Sequence, residues 1–122
     1  MKYIILFFAV TFCISCVQEV RDVTIHFQVA MNALNNVQTV GVIGETQPLS
    51  WDTPSALTDI DEDGIYEGDI TIQVAYNYSE FKFMLNENEI ELEGQGNRVI
   101  RFRDKTALTY SAVYNVIESE EH

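Results

Sequence analysis

Val23-Thr24-Ile25-His26-Phe27-Gln28-Val29 decides how the rest of this chain is read. Apolar Val23, Ile25, Phe27 and Val29 alternate with polar Thr24, His26 and Gln28. Side chains on a strand point alternately to opposite faces, so this spacing builds a half-buried strand. Beyond it, turn residues punctuate the chain about every eight to twelve positions, the rhythm of a β-sandwich. Residues 32–36 form a turn, and residues 37–43 read as a second strand in which Gly41 marks close packing of the backbone. Residues 44–54 are a loop carrying the single tryptophan, Trp51. A short strand at 56–58 and a polar turn at 59–64 lead into a long strand at 65–74. Residues 80–86 alternate Phe81, Phe83 and Leu85 inward; residues 87–88 turn, and 90–93 form a short strand. Segments 98–103 and 109–117 complete the set, the last alternating Tyr110, Ala112, Tyr114 and Val116. The pattern contains no long amphipathic helix, no repeat and no low-complexity tract. It predicts an all-β antiparallel sandwich over residues 23–117, with 118–122 as a frayed, disordered tail.

The front of the chain is different. In MKYIILFFAVTFCISC, Lys2 supplies a positive start and residues 4–10 are unbroken apolar, followed by Thr11, Phe12 and Cys13. Such a run is too short for an ordinary membrane-spanning helix and suits an export signal. Its ending, Ser15-Cys16, resembles a bacterial lipobox, although Cys13 stands where that motif usually has Leu. The resemblance implies a signal peptide at 1–15, diacylglycerol on Cys16 and a lipidated tether at 16–22. It implies a bacterial cell envelope location, anchored to the outer membrane or at the cell surface. Gln18-Glu19 resembles acidic surface-export signals of some lipoproteins. A plain secretory signal cut nearby and a retained transmembrane anchor stay open as alternatives.

Loss of the first 15 of 122 residues leaves 107, enough for one two-sheet core and not for two domains. Loss of Lys2 moves the formal charge from −12 to −13 and leaves six bases against nineteen acids. The acids are interleaved with strands, so they read as a solvated surface. That balance disfavours nucleic acid as a partner. Cys13 leaves with the signal and Cys16 would be acylated, so the mature fold has no disulfide and no cysteine nucleophile. His26 and His122 are the two histidines, and with no free cysteine in the mature chain they assemble no zinc cluster. No serine sits in a glycine-flanked elbow. Glu91 and Glu93 at i, i+2 share a strand face, but glycoside hydrolysis draws its acids from a deep cleft. The expectation is a protein that is not an enzyme and takes no cofactor. Asn77-Tyr78-Ser79 matches a glycosylation sequon by chance. Arg98, Arg101, Arg103 and Lys105 cluster near the C-terminus, and pair with surrounding acids or face lipid headgroups.

Taken in order, VTIHFQV, VGVIGETQPLSWD, LTDIDEDGIYEGDITI, EFKFML and EGQGNRVIRF make a set of landmarks over nearly the whole mature chain. The set resembles the starch-binding-domain type of carbohydrate-binding module. Leu49-Ser50-Trp51-Asp52 matches that family's L-G-x-W loop, Phe81-Lys82-Phe83 its Y-K-F strand, and Glu93 with Asn97-Arg98 its W-E-x-x-x-N-R segment. The resemblance implies an immunoglobulin-like antiparallel β-sandwich of about seven to eight strands that binds α-glucans such as starch or glycogen. It implies that Trp51 and Lys82 fall on the first tryptophan and the lysine of the family's main site, and Glu93 and Asn97 on its polar positions. The second tryptophan falls on Leu92, so half the aromatic platform is missing and Leu92→Trp would rebuild it. Tyr66 falls on one half of the family's second site; the early loop at 32–36 has no aromatic for the other half. Sugar stacking needs such rings because the apolar face of a pyranose packs on them while its rim takes hydrogen bonds.

Each residue also has a plainer reading. Trp51 either presents its ring between Pro48 and Pro54 or caps one end of the core; Lys82 either serves a sugar or is an outward strand lysine. Asp59-x-Asp61-x-Asp63-Gly64 looks like the start of a calcium loop, but position twelve is Ile70 where a bidentate acid is needed. The hairpin-turn reading is preferred there, with no metal site expected. The chain is therefore expected to bind an α-glucan polysaccharide at a membrane through its lipid, beside glycan-degrading enzymes or importers. The alternative is a structural or protein-interaction sandwich that has lost sugar binding.

Overall fold

The computed structural model describes residues 20–31 and 34–122. The signal at 1–15, Cys16, Val17, Gln18, Glu19 and part of the 32–36 turn lie outside the described residues. Among the described residues, nine strands follow in order: β1 (Arg21–Ala30), β2 (Val40–Gly44), β3 (Ser55–Leu57), β4 (Ile65–Val74), β5 (Tyr78–Leu85), β6 (Glu89–Ile90), β7 (Arg98–Arg101), β8 (Ala107–Val113) and β9 (Ser119–Glu121). One sheet runs β4-β1-β8-β9; the other runs β3-β2-β5-β6, with β7 also on β5. No helix occurs among the described residues. The fold is an all-β sandwich, as the alternation of residues 23–29 predicts.

Three details differ from the expectation. The first strand starts at Arg21, because Arg21 and Asp22 pair with Val74 and Gln73 of β4. The β1–β8 pair is parallel, from Thr24 opposite Ala107 to Ala30 opposite Val113. Parallel neighbours need a long crossover, and here the whole second sheet is inserted between them. The expected frayed tail instead forms β9, antiparallel to β8, with Ser119 opposite Ala112 and Glu121 opposite Tyr110. His122 also exchanges backbone hydrogen bonds with Thr109, each 2.9 Å. Open edge donors and acceptors on β8 reward this pairing although every β9 side chain is exposed.

Between the sheets, Phe27 of β1 meets Phe81 and Phe83 of β5 and Tyr110 of β8. The rings pack edge to face: Phe27–Phe81 at 5.1 Å and 71°, and Phe81–Tyr110 at 4.8 Å and 81°. Such geometry sets a ring's positive edge on its neighbour's negative face, adding about 0.5–1.5 kcal/mol per pair beyond area burial.

The middle of the second sheet, β2 and the part of β5 from Phe81 on, is buried on both faces. Val40 and Val42 of β2 and Phe81, Phe83 and Leu85 of β5 enter the inter-sheet core. Ile43, Met84 and Leu92 are equally buried yet stand outside that cluster. On this outer face Pro54 lies over Gly41, and the turn at 92–95 lies over Lys82. A Cβ on Gly41 would stand 2.6 Å from Pro54 Cβ, so only glycine lets loop and strand approach there.

Candidate functional site

Loop 45–54 leaves β2 and is held at both ends. Gly44 N–H donates to Ser50 O at 3.3 Å, Leu49 N–H to Thr46 O at 2.9 Å, and Leu49 is buried in the core. Leu49 therefore anchors the loop, and Trp51 follows it outward. Asp52 N–H donates to Ser50 Oγ at 3.1 Å and shapes the bend around the tryptophan. Trp51 is 39% exposed, so its ring is partly open to solvent.

Lys82 points to the outer face of β5 but is nearly buried. Its Nζ donates to Leu92 O at 3.2 Å and Gln95 O at 3.3 Å. The lysine thus holds the turn after β6 down on the sheet. Glu93 and Asn97 are exposed on the same turn. Leu92 is fully buried with a φ of 55°, so no solvent-facing ring can stand at this backbone position without a rearrangement. Tyr66 of β4 lies opposite Val29 and packs partly buried against the core. The structure therefore sets Lys82 against the turn that carries Glu93 and Asn97, and keeps Tyr66 on the inner face of the other sheet.

Glu91 and Glu93 do not share a strand face. β6 ends at Ile90, and the left-handed Leu92 sends Glu91 inward and Glu93 out. Glu91 is the centre of a buried network. Arg98 Nε and Nη2 donate to its Oε2 and Oε1 at 2.6 and 2.7 Å. Phe83 N–H and Asn115 N–H donate to the same carboxylate at 2.7 and 3.0 Å. Arg98 Nη2 also donates to Val113 O and Val116 O, and Asn115 Oδ1 accepts from Leu92 N–H at 2.7 Å. The guanidinium lies 5.3 Å from the Phe83 ring centroid. Burial pushes the guanidinium pKa down, but the hydrogen bonds and charge of Glu91, aided by Tyr110, outweigh it and leave Arg98 above its ordinary value. Of the basic cluster, Arg98 alone is buried; Arg101, Arg103 and Lys105 are exposed. Sequence spacing gave no sign of this clasp, because neither Glu91 nor Arg98 sits in an apolar pattern that marks it as interior.

Near the clasp, Tyr114 Oη donates to Glu89 O at 3.3 Å. Burial, then the charges of Glu89 and Glu91, push its hydroxyl up to about 12.

In the acidic turn, carboxylate oxygens of Asp59, Asp61 and Asp63 lie within 4.8 Å of one another. They already serve the backbone. Asp59 accepts from Asp63 N–H at 3.1 Å and Gly64 N–H at 2.9 Å, and Asp63 from Ile65 N–H at 2.9 Å. Gly64 takes a φ of 84°, which glycine adopts without steric cost. Desolvation raises the Asp59 carboxyl pKa, but bonds from Gly64, Asp63 and Asp61 together hold it below its usual value. Desolvation, then Asp59 and the charge of Asp63, raise Asp61. This is the geometry of a carboxylate-closed turn.

His26 stands on the outer face of the first sheet. Its Nδ1 is 2.5 Å from Asp69 Oδ1 and its Nε2 3.4 Å from Glu67 Oε1. Surface cavities of about 480, 430 and 370 Å³ open elsewhere, and Trp51 lines none of them. The first lies beside β8 and β9, among Gln28, Ile65, Ser111, Val113 and Val116, and contains no aromatic ring.

Compared with known proteins, the chain matches no family model and no curated relative.

Proposed function

We propose that this chain is a non-catalytic α-glucan-binding domain, held at a membrane through lipid on Cys16. The observation that carries the reading is Trp51: a tryptophan 39% exposed, on a loop anchored by Leu49 and bent by Ser50 and Asp52. A fixed, half-open indole can stack on the apolar face of a glucose ring with little ordering cost. Glu93 and Asn97 are exposed and are the polar groups the resemblance assigns to the hydroxyls, while Lys82 holds their turn through Leu92 O and Gln95 O. The tether would raise the local concentration of glycan for neighbouring glycan-degrading enzymes or importers.

Leu92 favours a second reading, a protein-interaction or structural sandwich. It is fully buried where the resemblance asks for a second sugar-stacking ring. Migration of the soluble domain in native gels cast with starch or glycogen separates the two. Retardation that Trp51→Ala abolishes supports sugar binding. Unretarded migration of the wild-type domain replaces it with the interaction reading.

A further inference from the structure

Tyr76 lies in the turn between β4 and β5 and Tyr78 opens β5; both are open to solvent, 64% and 51% exposed. Their ring centroids are 6.4 Å apart with planes tilted by 32°. They border a cleft of about 430 Å³ whose other walls include Glu45, Thr46, Gln47 and Gln73. We propose that this cleft is a carbohydrate-binding site, in which the two tyrosines bear the apolar face of a pyranose and the amides of Gln47 and Gln73 take its hydroxyls.

Three observations carry the proposal. First, the lining matches the ligand. Two neighbouring exposed rings offer apolar area, and exposed amides offer donors and acceptors together, as a sugar rim requires. Second, the cleft is built in advance. Gln73 N–H donates to Gln47 O at 3.0 Å, tying β4 to loop 45–54. Thr46 Oγ1 and Ser79 Oγ are 2.6 Å apart, tying that loop to β5. Phe102 N–H donates to Asn77 O at 2.7 Å, fixing the residue between the tyrosines. A cleft already held in shape loses little entropy on binding. Third, Tyr78 lies on the same outer face of β5 as Lys82, four residues or about 13 Å along the strand. The cleft is distinct from the Trp51 loop and stands whether or not Trp51 binds sugar. Exposed Val20 also borders it, but Glu45 and the net charge of −12 oppose docking on an anionic membrane.

The test is an amide-resolved NMR titration of the soluble domain from residue 20 onward. The probes are maltoheptaose, cellohexaose and mannohexaose, and separately vesicles of phosphatidylethanolamine with phosphatidylglycerol. The expected result is movement of Gln47, Gln73, Tyr76 and Tyr78 signals with at least one oligosaccharide. Tyr76→Ala/Tyr78→Ala should weaken that binding by roughly tenfold or more, leaving the remaining spectrum dispersed and any Trp51 response intact. Cleft signals moving while Trp51 stays silent support this site and remove Trp51 as the sugar platform. Movement confined to the Trp51 loop overturns the cleft and leaves the Trp51 platform standing. Movement of the cleft with vesicles alone makes it a membrane contact and overturns the proposal, as does silence with all three oligosaccharides.

Discussion

The carboxylate of Glu91 grips the guanidinium of Arg98 in a two-pronged contact, with both side chains wholly removed from solvent. The pair fastens the end of β8 to the second sheet, since Arg98 also holds the carbonyls of Val113 and Val116. Removal of one partner strands the other charge inside the protein. Arg98→Met or Glu91→Leu alone should each cost about 3–5 kcal/mol, against which the double variant should cost clearly less than the sum. Urea unfolding of the four proteins measures this. Strict additivity would show that the two side chains are not coupled.

Trp51→Ala should weaken α-glucan binding by about 1–3 kcal/mol, the scale of covering one aromatic face. Its melting temperature should stay close to wild type, because the ring is not core. Leu92→Trp should not rebuild a sugar platform. Its side chain would enter a filled interior at a left-handed residue, costing about 1–3 kcal/mol of stability. Calorimetry with maltoheptaose and thermal melts of both variants check this; tighter binding by a stably folded Leu92→Trp would contradict the buried position.

Millimolar calcium should leave the melting temperature almost unchanged, because Asp59 and Asp63 spend carboxylate oxygens on backbone N–H groups. Asp59→Ala should lower the melting temperature with or without calcium, as the turn loses its closure. A large calcium-dependent rise in the wild type would instead identify a site, since a ligand bound only to the native state must stabilise it.

Tyr114 sets an alkaline limit. Its hydroxyl ionises near 10 in the unfolded chain and is raised to about 12 in the fold. Between those values the unfolded state sheds the proton first, so native stability falls as pH rises from 10 towards 12. Ultraviolet titration should show a late tyrosine step that is absent from Tyr114→Phe. The variant should also lose stability less steeply across that window. An unchanged late step in Tyr114→Phe would assign it to another residue.

Cys16→Ser should move the protein from the detergent phase to the soluble fraction, or leave it unprocessed, if Cys16 carries the lipid. Diacyl modification gives the two chains that stable retention needs. Mass spectrometry finding an unlipidated N-terminus at another residue would rule the anchor out.

Much of the architecture is legible in the sequence because strand alternation is a local property. Val23, Ile25, Phe27 and Val29 face one way in any antiparallel or parallel ladder, so they announce a buried face before the partner is known. The same holds for Phe81, Phe83 and Leu85, and the Asp59–Gly64 turn is written in residues that close their own backbone. Local pattern misread the tail, because Glu118–His122 has no apolar side to bury and gains its order from backbone pairing with β8.

By itself the sequence determined the strand periods, the punctuating turns, the acidic surface and the landmarks around Trp51 and Lys82. Each of these depends on neighbours within a few residues. The tertiary structure alone decided that Lys82 spends two donors on the carbonyls of Leu92 and Gln95, that Glu91 and Arg98 meet in the interior, and that Tyr76 and Tyr78 share a cleft with Gln47 and Gln73. These outcomes depend on which loops fold over the second sheet. The burial of a polar side chain is set by what covers it, and no single stretch of chain carries that information.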